Sequence, residues 1–422
     1  MIALFRRCIP VVMLYAAACL PLVAGEGRPG REKEKFEKAI AATTRALEEA
    51  PDDPVFLATR GRLYLGLEDF WMARRDLQKA ARLEPDAPPL FLELGDALAR
   101  GGELNAALVA WDEAASAPPP SRERYLHAIR GMAKYGKYGS ALLLAEIARV
   151  DFPHDFTIAL VTANLYGLRN NVPEAAALYD EILEAHPDDG ETLANAALLS
   201  LSRGDRERAS ALLARAPRYG GRSLVNLARG REHLADGRHD DAIASFQEAL
   251  KGDLALPRRY EALYSLGTAF AASGRLDEAI ASMEQAVAPD PNTGIRFEDA
   301  SAWSQLGLLR YMNKNYTAAE EALLRCFAID EKGSENDYLI LGLVRYRGKR
   351  YDEALATLDA GLGQYPGNVY MMYNKAEALL DSGRRGEARE LFAAVAGHPG
   401  GEDFDEVIEK ARKHLAAMRD EE

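Results

Sequence analysis

Cysteine is nearly absent: there are three in 422 residues, and Cys8 and Cys19 both lie in the first twenty. The one remaining thiol, Cys326, allows no internal disulfide, so stability has to come from packing. Long apolar runs are absent after Val23, and no later segment is apolar enough to cross a bilayer. Positive charge is in deficit, 52 Lys and Arg against 65 Asp and Glu, a net −13. Such an acidic chain is poorly suited to sequence-independent nucleic-acid binding, where phosphate neutralisation dominates affinity. The seven histidines (127, 154, 186, 233, 239, 398 and 414) show no ligand spacing; His233 and His239 flank a turn instead of sharing one helical face. No G-x-S-x-G elbow, phosphate-binding G-x-x-x-x-G-K-[ST] loop or G-x-G-x-x-G fingerprint occurs. Asp290–Gly294 lacks both the third oxygen ligand and the closing glutamate of a calcium loop, and reads as a turn. No metal, cofactor or catalytic residue is expected, and the chain reads as non-enzymatic.

What is present is a period. Ala39, Ala73, Ala107, Ala141, Ala175 and Ala209 fall 34 residues apart, and Ala242, Ala279, Ala319, Ala354 and Ala388 continue the series at steps of 33 to 40. A second small residue repeats in step at Gly61, Gly95, Ala163, Ala197, Gly230, Gly267, Gly307, Gly342 and Ala376, with Ile129 as the exception. Four residues after each alanine stands a large apolar one: Leu77, Trp111, Tyr179, Leu213, Phe246, Met283, Leu323, Leu358 and Phe392, with Ala145 departing. The cleanest copy, Tyr260–Pro291, reads as two amphipathic helices joined at Ser273-Gly274-Arg275, with Gly274 suited to a left-handed cap. Small residues let the paired backbones approach, and the large ones fill what remains. A helix pair this short cannot bury its own apolar face, so each copy needs neighbours. Cys326 stands where other copies place Ala80, Ala114 or Ala286, and reads as a small core residue.

A helix–turn–helix unit of this length resembles the tetratricopeptide repeat. The family's pattern appears as Leu57…Gly61…Tyr64…Ala73…Ala80…Pro85, and again as Trp303…Leu306-Gly307…Ala319. The resemblance covers nearly all of 36–400. It implies an all-α fold, a right-handed α-solenoid of about ten helix–turn–helix repeats with terminal capping helices, in which the first helices line a concave face where partners bind. Units are expected to start near 54, 88, 122, 156, 190, 223, 260, 300, 335 and 369 within a solenoid spanning 54–400. The period stretches at Gly252–Arg259 and at Asn292–Asp299, on either side of the cleanest copy.

Residues 1–24 read as a signal peptide: Arg6 and Arg7, an apolar run from Ile9 to Val23, and cleavage after Ala24. Ala16-Ala17-Ala18-Cys19 offers a second reading, a relaxed lipobox with Cys19 lipidated, and an uncleaved anchor is a third. Residues 25–53 read as a flexible Gly/Pro segment (25–31) followed by a capping helix over 33–50; residues 401–422 read as a terminal break, a final helix over 404–418 and a tail. Export to the periplasm or cell envelope follows from the leader.

Positions just after the small residue of each first helix, and one turn either side, should face the groove. They are Arg62, Asp96, Arg130, Lys134, Asn164 and Arg231 toward the N-terminus, and Tyr264, Tyr311, Tyr346, Tyr370 and Tyr373 toward the C-terminus. Bidentate arginines and rigid amphipathic tyrosines suit an extended peptide carrying carboxylates; the bland alternative is a solvated face with chance Arg and Tyr placement. The Lys/Asn/Lys/Arg clamp of chaperone-binding relatives is matched in type only at Asn164. The expected function is a protein-interaction scaffold with a protein or peptide partner. The alternative is a carrier of a small apolar ligand or lipid, with Leu198, Leu308 and Leu343 facing inward.

Overall fold

The computed structural model describes residues 29–216, 222–252, 254–290, 294, 296–400 and 404–420. The leader at 1–24, with Cys19 and the cleavage point, lies outside these residues. Among the described residues there are helices and turns and no strand. A lone helix, α1 (Pro29–Glu49), comes first; it starts inside the segment read as flexible, so the helix is four residues longer at its N-terminus than its sequence pattern suggests. Helix pairs follow: α2 (Pro54–Gly66) with α3 (Phe70–Leu83), α4 (Pro88–Arg100) with α5 (Leu104–Ser116), α6 (Arg122–Lys134) with α7 (Tyr138–Asp151), and α8 (Phe156–Leu168) with α9 (Val172–Ala185). Then come α10 (Gly190–Ser202), α11 (Arg206–Arg215), α12 (Arg222–Ala235), α13 (His239–Leu250), α14 (Leu256–Ala272) and α15 (Leu276–Val287). The last three pairs are α16 (Ala300–Met312) with α17 (Tyr316–Ile329), α18 (Glu335–Arg347) with α19 (Tyr351–Gln364), and α20 (Val369–Asp381) with α21 (Arg385–Ala396); α22 (Asp405–Asp420) closes the chain.

The chain forms two compact units, one ending at Leu199 and one beginning at Ser200. In each, a first helix packs on its own second helix and on the first helix of the next pair (α2 on α4 and α4 on α6; α16 on α18 and α18 on α20), whereas successive second helices meet far less. First helices therefore form an inner layer and second helices an outer one.

The periodic alanines are the closest points of approach. Ala73, Ala107, Ala141, Ala175, Ala209, Ala242, Ala279, Ala319, Ala354 and Ala388 have no exposed surface. The small residue sixteen positions earlier fits the large one. A Cβ on Gly61 would come within 2.7 Å of Leu77 Cγ, on Gly230 within 2.5 Å of Phe246 Cε1, and on Gly342 within 2.7 Å of Leu358 Cδ2. The irregular unit follows the same rule with sizes exchanged: Ile129 occupies the small position and Ala145 the large one, and both are fully buried. In the cleanest copy, a Cβ on Gly267 would meet Met283 at 3.0 Å and the Ala279 carbonyl at 3.3 Å. Ala279→Leu has no room to enter, and it is expected to cost about 1–3 kcal/mol in chemical denaturation; an unchanged midpoint would place the pairing in another register.

Gly274 adopts φ +73°, the left-handed cap expected of it. The period-stretching segments do not divide the chain. Leu256–Arg259 extend α14, with Pro257 in its first turn, where the missing amide hydrogen leaves no bond unmade. From the second stretch, Phe297 stacks on Tyr260 at 4.3 Å, and Tyr260 donates its hydroxyl to Asp299 at 2.8 Å. Asp299 also accepts the Ser301 amide as the N-cap of α16. The second stretch thus packs on Tyr260, the first residue of the copy it follows.

Candidate partner-binding site

In the first unit, Gly95 of α4 and Gly131 of α6 leave space for one indole. A Cβ on Gly95 would lie 2.5 Å from Trp111 Cδ1, and one on Gly131 2.9 Å from its Cε2. Trp111, on α5, is 1% exposed, so its one polar atom needs a partner. That partner is Asp96: Trp111 Nε1 donates to Asp96 Oδ1 at 3.0 Å. The same carboxylate lies 3.1 Å from His127 Nε2 through both of its oxygens. The hydrogen bond to Asp96 pushes the His127 imidazole pKa up; partial burial and the charge of Arg130 oppose the rise, and the charges of Asp96 and Glu93 add to it.

Around this Trp–Asp–His chain lies an open cavity of about 430 Å³, lined also by Arg100, Arg122, Glu123, Leu126, Arg130, Gly131, Lys134 and Tyr135. Arg122 is committed to Asp155 and to Thr157. Arg100, Arg130 and Lys134 are exposed and have no hydrogen bond or ion pair with the described residues. The lining contains no Ser, Thr or Cys to act as a nucleophile beside the imidazole. Its charged lining sets the cations Arg100, Arg122, Arg130 and Lys134 against the carboxylates of Asp96 and Glu123.

A raised folded pKa means the protonated imidazole is favoured. That contribution is complete below the unfolded value of about 6.5 and is lost as pH rises through the higher folded value. Stability in urea unfolding should therefore lose this contribution as pH rises above about 6.5, and His127→Phe should flatten that part of the profile.

The other expected groove residues are spent on neighbouring helices. Arg62 donates to Glu93 at 2.7 Å and Arg231 to Glu261 at 2.7 Å, each linking one first helix to the next. Glu261 is also held by Arg258, and its carboxyl stays below its ordinary range because the two guanidinium groups outweigh burial. Asn164 accepts the Tyr179 hydroxyl at 2.8 Å and hydrogen-bonds Glu191.

In the second unit, Tyr264 is half-buried and stacks on Tyr260 at 6.0 Å, and Tyr311 lies 5.8 Å from Tyr316. Tyr346 donates to Asp381 at 2.8 Å. Tyr370 is 39% exposed beside Phe404. Tyr373 does not face a groove: it is 8% exposed, contacts Phe392 edge-on, and its hydroxyl meets Glu377 and His414 of the terminal helix α22. The capping helix takes the surface that a partner would use.

The reading of His127 as one of seven scattered histidines misses its role. The signal lies in a spacing, since Asp96 and His127 stand 31 residues apart, as do Arg62 and Glu93. Among the described residues, no three His, Cys, Asp or Glu side chains are placed to hold a metal ion, and no helix is long and apolar enough to cross a membrane.

A family model described as tetratricopeptide repeat matches residues 58–122, 134–190, 227–292 and 339–402, more than half of the chain. A second model of the same description matches 168–230. No curated protein matches. Among solved structures, MamA is 26% identical over 42% of this chain and 91% of its own, with a TM-score of 0.38. A tetratricopeptide repeat protein from Parabacteroides merdae is 16% identical over 61% of this chain and 98% of its own, TM-score 0.41. The Cut9–Hcn1 hetero-tetramer of the APC/C is 11% identical over 90% and 93%, TM-score 0.47. The repeated match in register, on a helix-pair architecture throughout, establishes that the chain belongs to the tetratricopeptide repeat family.

Proposed function

We propose that this chain is a non-catalytic scaffold that binds an acidic segment of a partner protein on the inner layer of its first unit. The observation that carries this reading is the trio Arg100, Arg130 and Lys134, exposed around the cavity beside His127 and without a hydrogen bond or ion pair among the described residues. Guanidinium–carboxylate contacts are charge-assisted and can be bidentate, and three cations around one cavity can engage one acidic segment together. The apolar-carrier alternative finds little support in its own residues: Leu198 is 2% exposed and belongs to the core, and Leu308 packs on the cluster around Leu323 and Ile340.

Calorimetry on the purified chain with a glutamate-rich peptide and a lysine-rich control tests the site. Binding of the acidic peptide alone, weakened about tenfold or more by Arg130→Glu with Lys134→Glu, supports it. Equal binding of both peptides, or no effect of the variant, overturns it. Co-purification of a lipid or metabolite with no protein would favour the carrier.

The same reading puts the scaffold in the periplasm or envelope of a bacterium, supported by Arg6, Arg7 and the apolar run to Val23. Recovery of the intact chain from the cytoplasm alone would overturn export. Palmitate labelling that is lost in Cys19→Ala would identify a lipid anchor in place of cleavage at Ala24.

A further inference from the structure

The floor of the inner cavity is ordered along its helices. On α6, Glu123, His127, Arg130 and Lys134 fall at helical spacing and all are exposed. On α4, one period back, Glu93, Asp96 and Arg100 follow in the same order. Both helices thus run from carboxylate to cation, and all of these residues except Glu93 line the cavity. The sign of that order suits each helix's own dipole, which favours acids in the first turn and bases in the last. The dipole does not account for which charges are left over. Asp96 is committed to Trp111 and His127, and Glu93 to Arg62. Glu123 is not spent in this way. Its side chain is 80% exposed, the Arg122 guanidinium stands 3.9 Å away and is itself committed to Asp155, and the Ser121 hydroxyl lies at 3.4 Å. A ligand therefore meets one carboxylate at the start of α6 and, toward the ends of α4 and α6, three cations without a hydrogen bond or ion pair among the described residues.

We propose that the acidic segment bound here also carries a lysine or arginine, which meets Glu123 while its carboxylates meet Arg100, Arg130 and Lys134. Resting on the acidic-partner reading above, this makes Glu123 the residue that selects among acidic segments. Arg130 and Lys134 stand seven and eleven residues after Glu123, about 10 and 16 Å along the helix. An extended segment covers that distance in about three to five residues. The sequence that fits is a pair of acidic residues with a base about four positions away. A uniformly acidic chain long enough to fill the cavity would set a like charge against Glu123, and that repulsion offsets part of what the cations gain. The lone carboxylate thus discriminates against plain polyanions, which the cations alone would not.

Fluorescence anisotropy on the full chain with three labelled peptides of equal length tests the inference. One carries glutamates alone, one a glutamate pair with a lysine four residues away, and one the same pair with the lysine adjacent. The spaced peptide is expected to bind about threefold or more tighter than the other two, the scale of one exposed ion pair. Glu123→Gln should remove that advantage, and Glu123→Lys should turn the preference toward the glutamate-only peptide. Equal binding of the spaced and glutamate-only peptides, or an advantage that survives Glu123→Gln, overturns the role of Glu123 and leaves acidic binding standing. Failure of all three peptides to bind overturns the acidic-partner reading itself, and this inference with it.

Discussion

Arg60→Met is expected to destabilise the N-terminal pairs by about 3–5 kcal/mol, the largest single effect that this fold predicts. Arg60 grips Asp76 through two parallel bonds, Nε to Oδ2 at 2.6 Å and Nη2 to Oδ1 at 3.0 Å, and reaches Thr44 Oγ1 at 3.2 Å. One guanidinium thus ties α1, α2 and α3 together. Asp76 is 2% exposed, and its remaining cationic neighbour, Arg75, lies at 3.5 Å. Removing Arg60 leaves a buried carboxylate short of its counter-charge, and that desolvation, more than the lost contact, sets the magnitude. The double change Arg60→Met with Asp76→Leu should return to within about 1 kcal/mol of the parent, because an apolar pair of similar volume needs no counter-charge. Urea unfolding reads the totals, and hydrogen exchange should place the loss in α1–α3. A double variant as unstable as the single one would show that packing, not charge, dominates there.

Asp337→Ala is expected to cost about 3 kcal/mol. Asp337, 3% exposed in the first turn of α18, accepts the Ser304 hydroxyl at 2.6 Å, and the Ser334 hydroxyl and amide at 2.7 and 2.8 Å. Ser304 belongs to α16, so the carboxylate closes a capping box and also joins two repeats. The Cys326 thiol, 3.8 Å away on α17, is pushed up to about 12, by burial first and then by Asp337. Alanine would orphan the Ser304 hydroxyl and the Ser334 hydroxyl and amide, and would remove one half of the capping box, leaving Ser334 as N-cap. Cys326, 2% exposed and expected to label slowly in the parent at neutral pH, should then label faster as α17 and α18 part. An unchanged labelling rate together with an unchanged melt would refute this account.

The fold was legible because its rule is steric and local. An alanine every 34 residues, opposed by a glycine and a leucine sixteen apart, specifies a helix pair whatever the surface carries. Even the unit with Ile129 and Ala145, which departs from the pattern letter by letter, obeys it in volume. The site was legible only in part. Arg62, Arg130 and Arg231 look alike in sequence, each on the inner side of a first helix. What separates them is the facing residue about one period on: Glu93 for Arg62, Glu261 for Arg231, and for Arg130, at the same 31-residue spacing, the uncharged Val161. Reading single positions cannot reveal this, because neutralisation belongs to pairs. Tyr373 failed for a related reason: the helix that covers it begins more than thirty residues later.

The rungs between first helices bear on how such an array can be rearranged. The steric rule within each pair is the same in every unit, so a copied pair keeps its own packing wherever it is inserted. The rungs are not interchangeable. A tandem copy of residues 88–121 would place the first copy's Asp96 opposite the second copy's Glu93, the position that His127 fills now. Two carboxylates would then face each other where an imidazole and a carboxylate pair, and Trp111 would donate into a repelling couple. Packing within a pair tolerates added units, while the inner polar rungs, and the space that Gly131 leaves for Trp111, fix their order, so this array is edited more readily at its ends than in its middle.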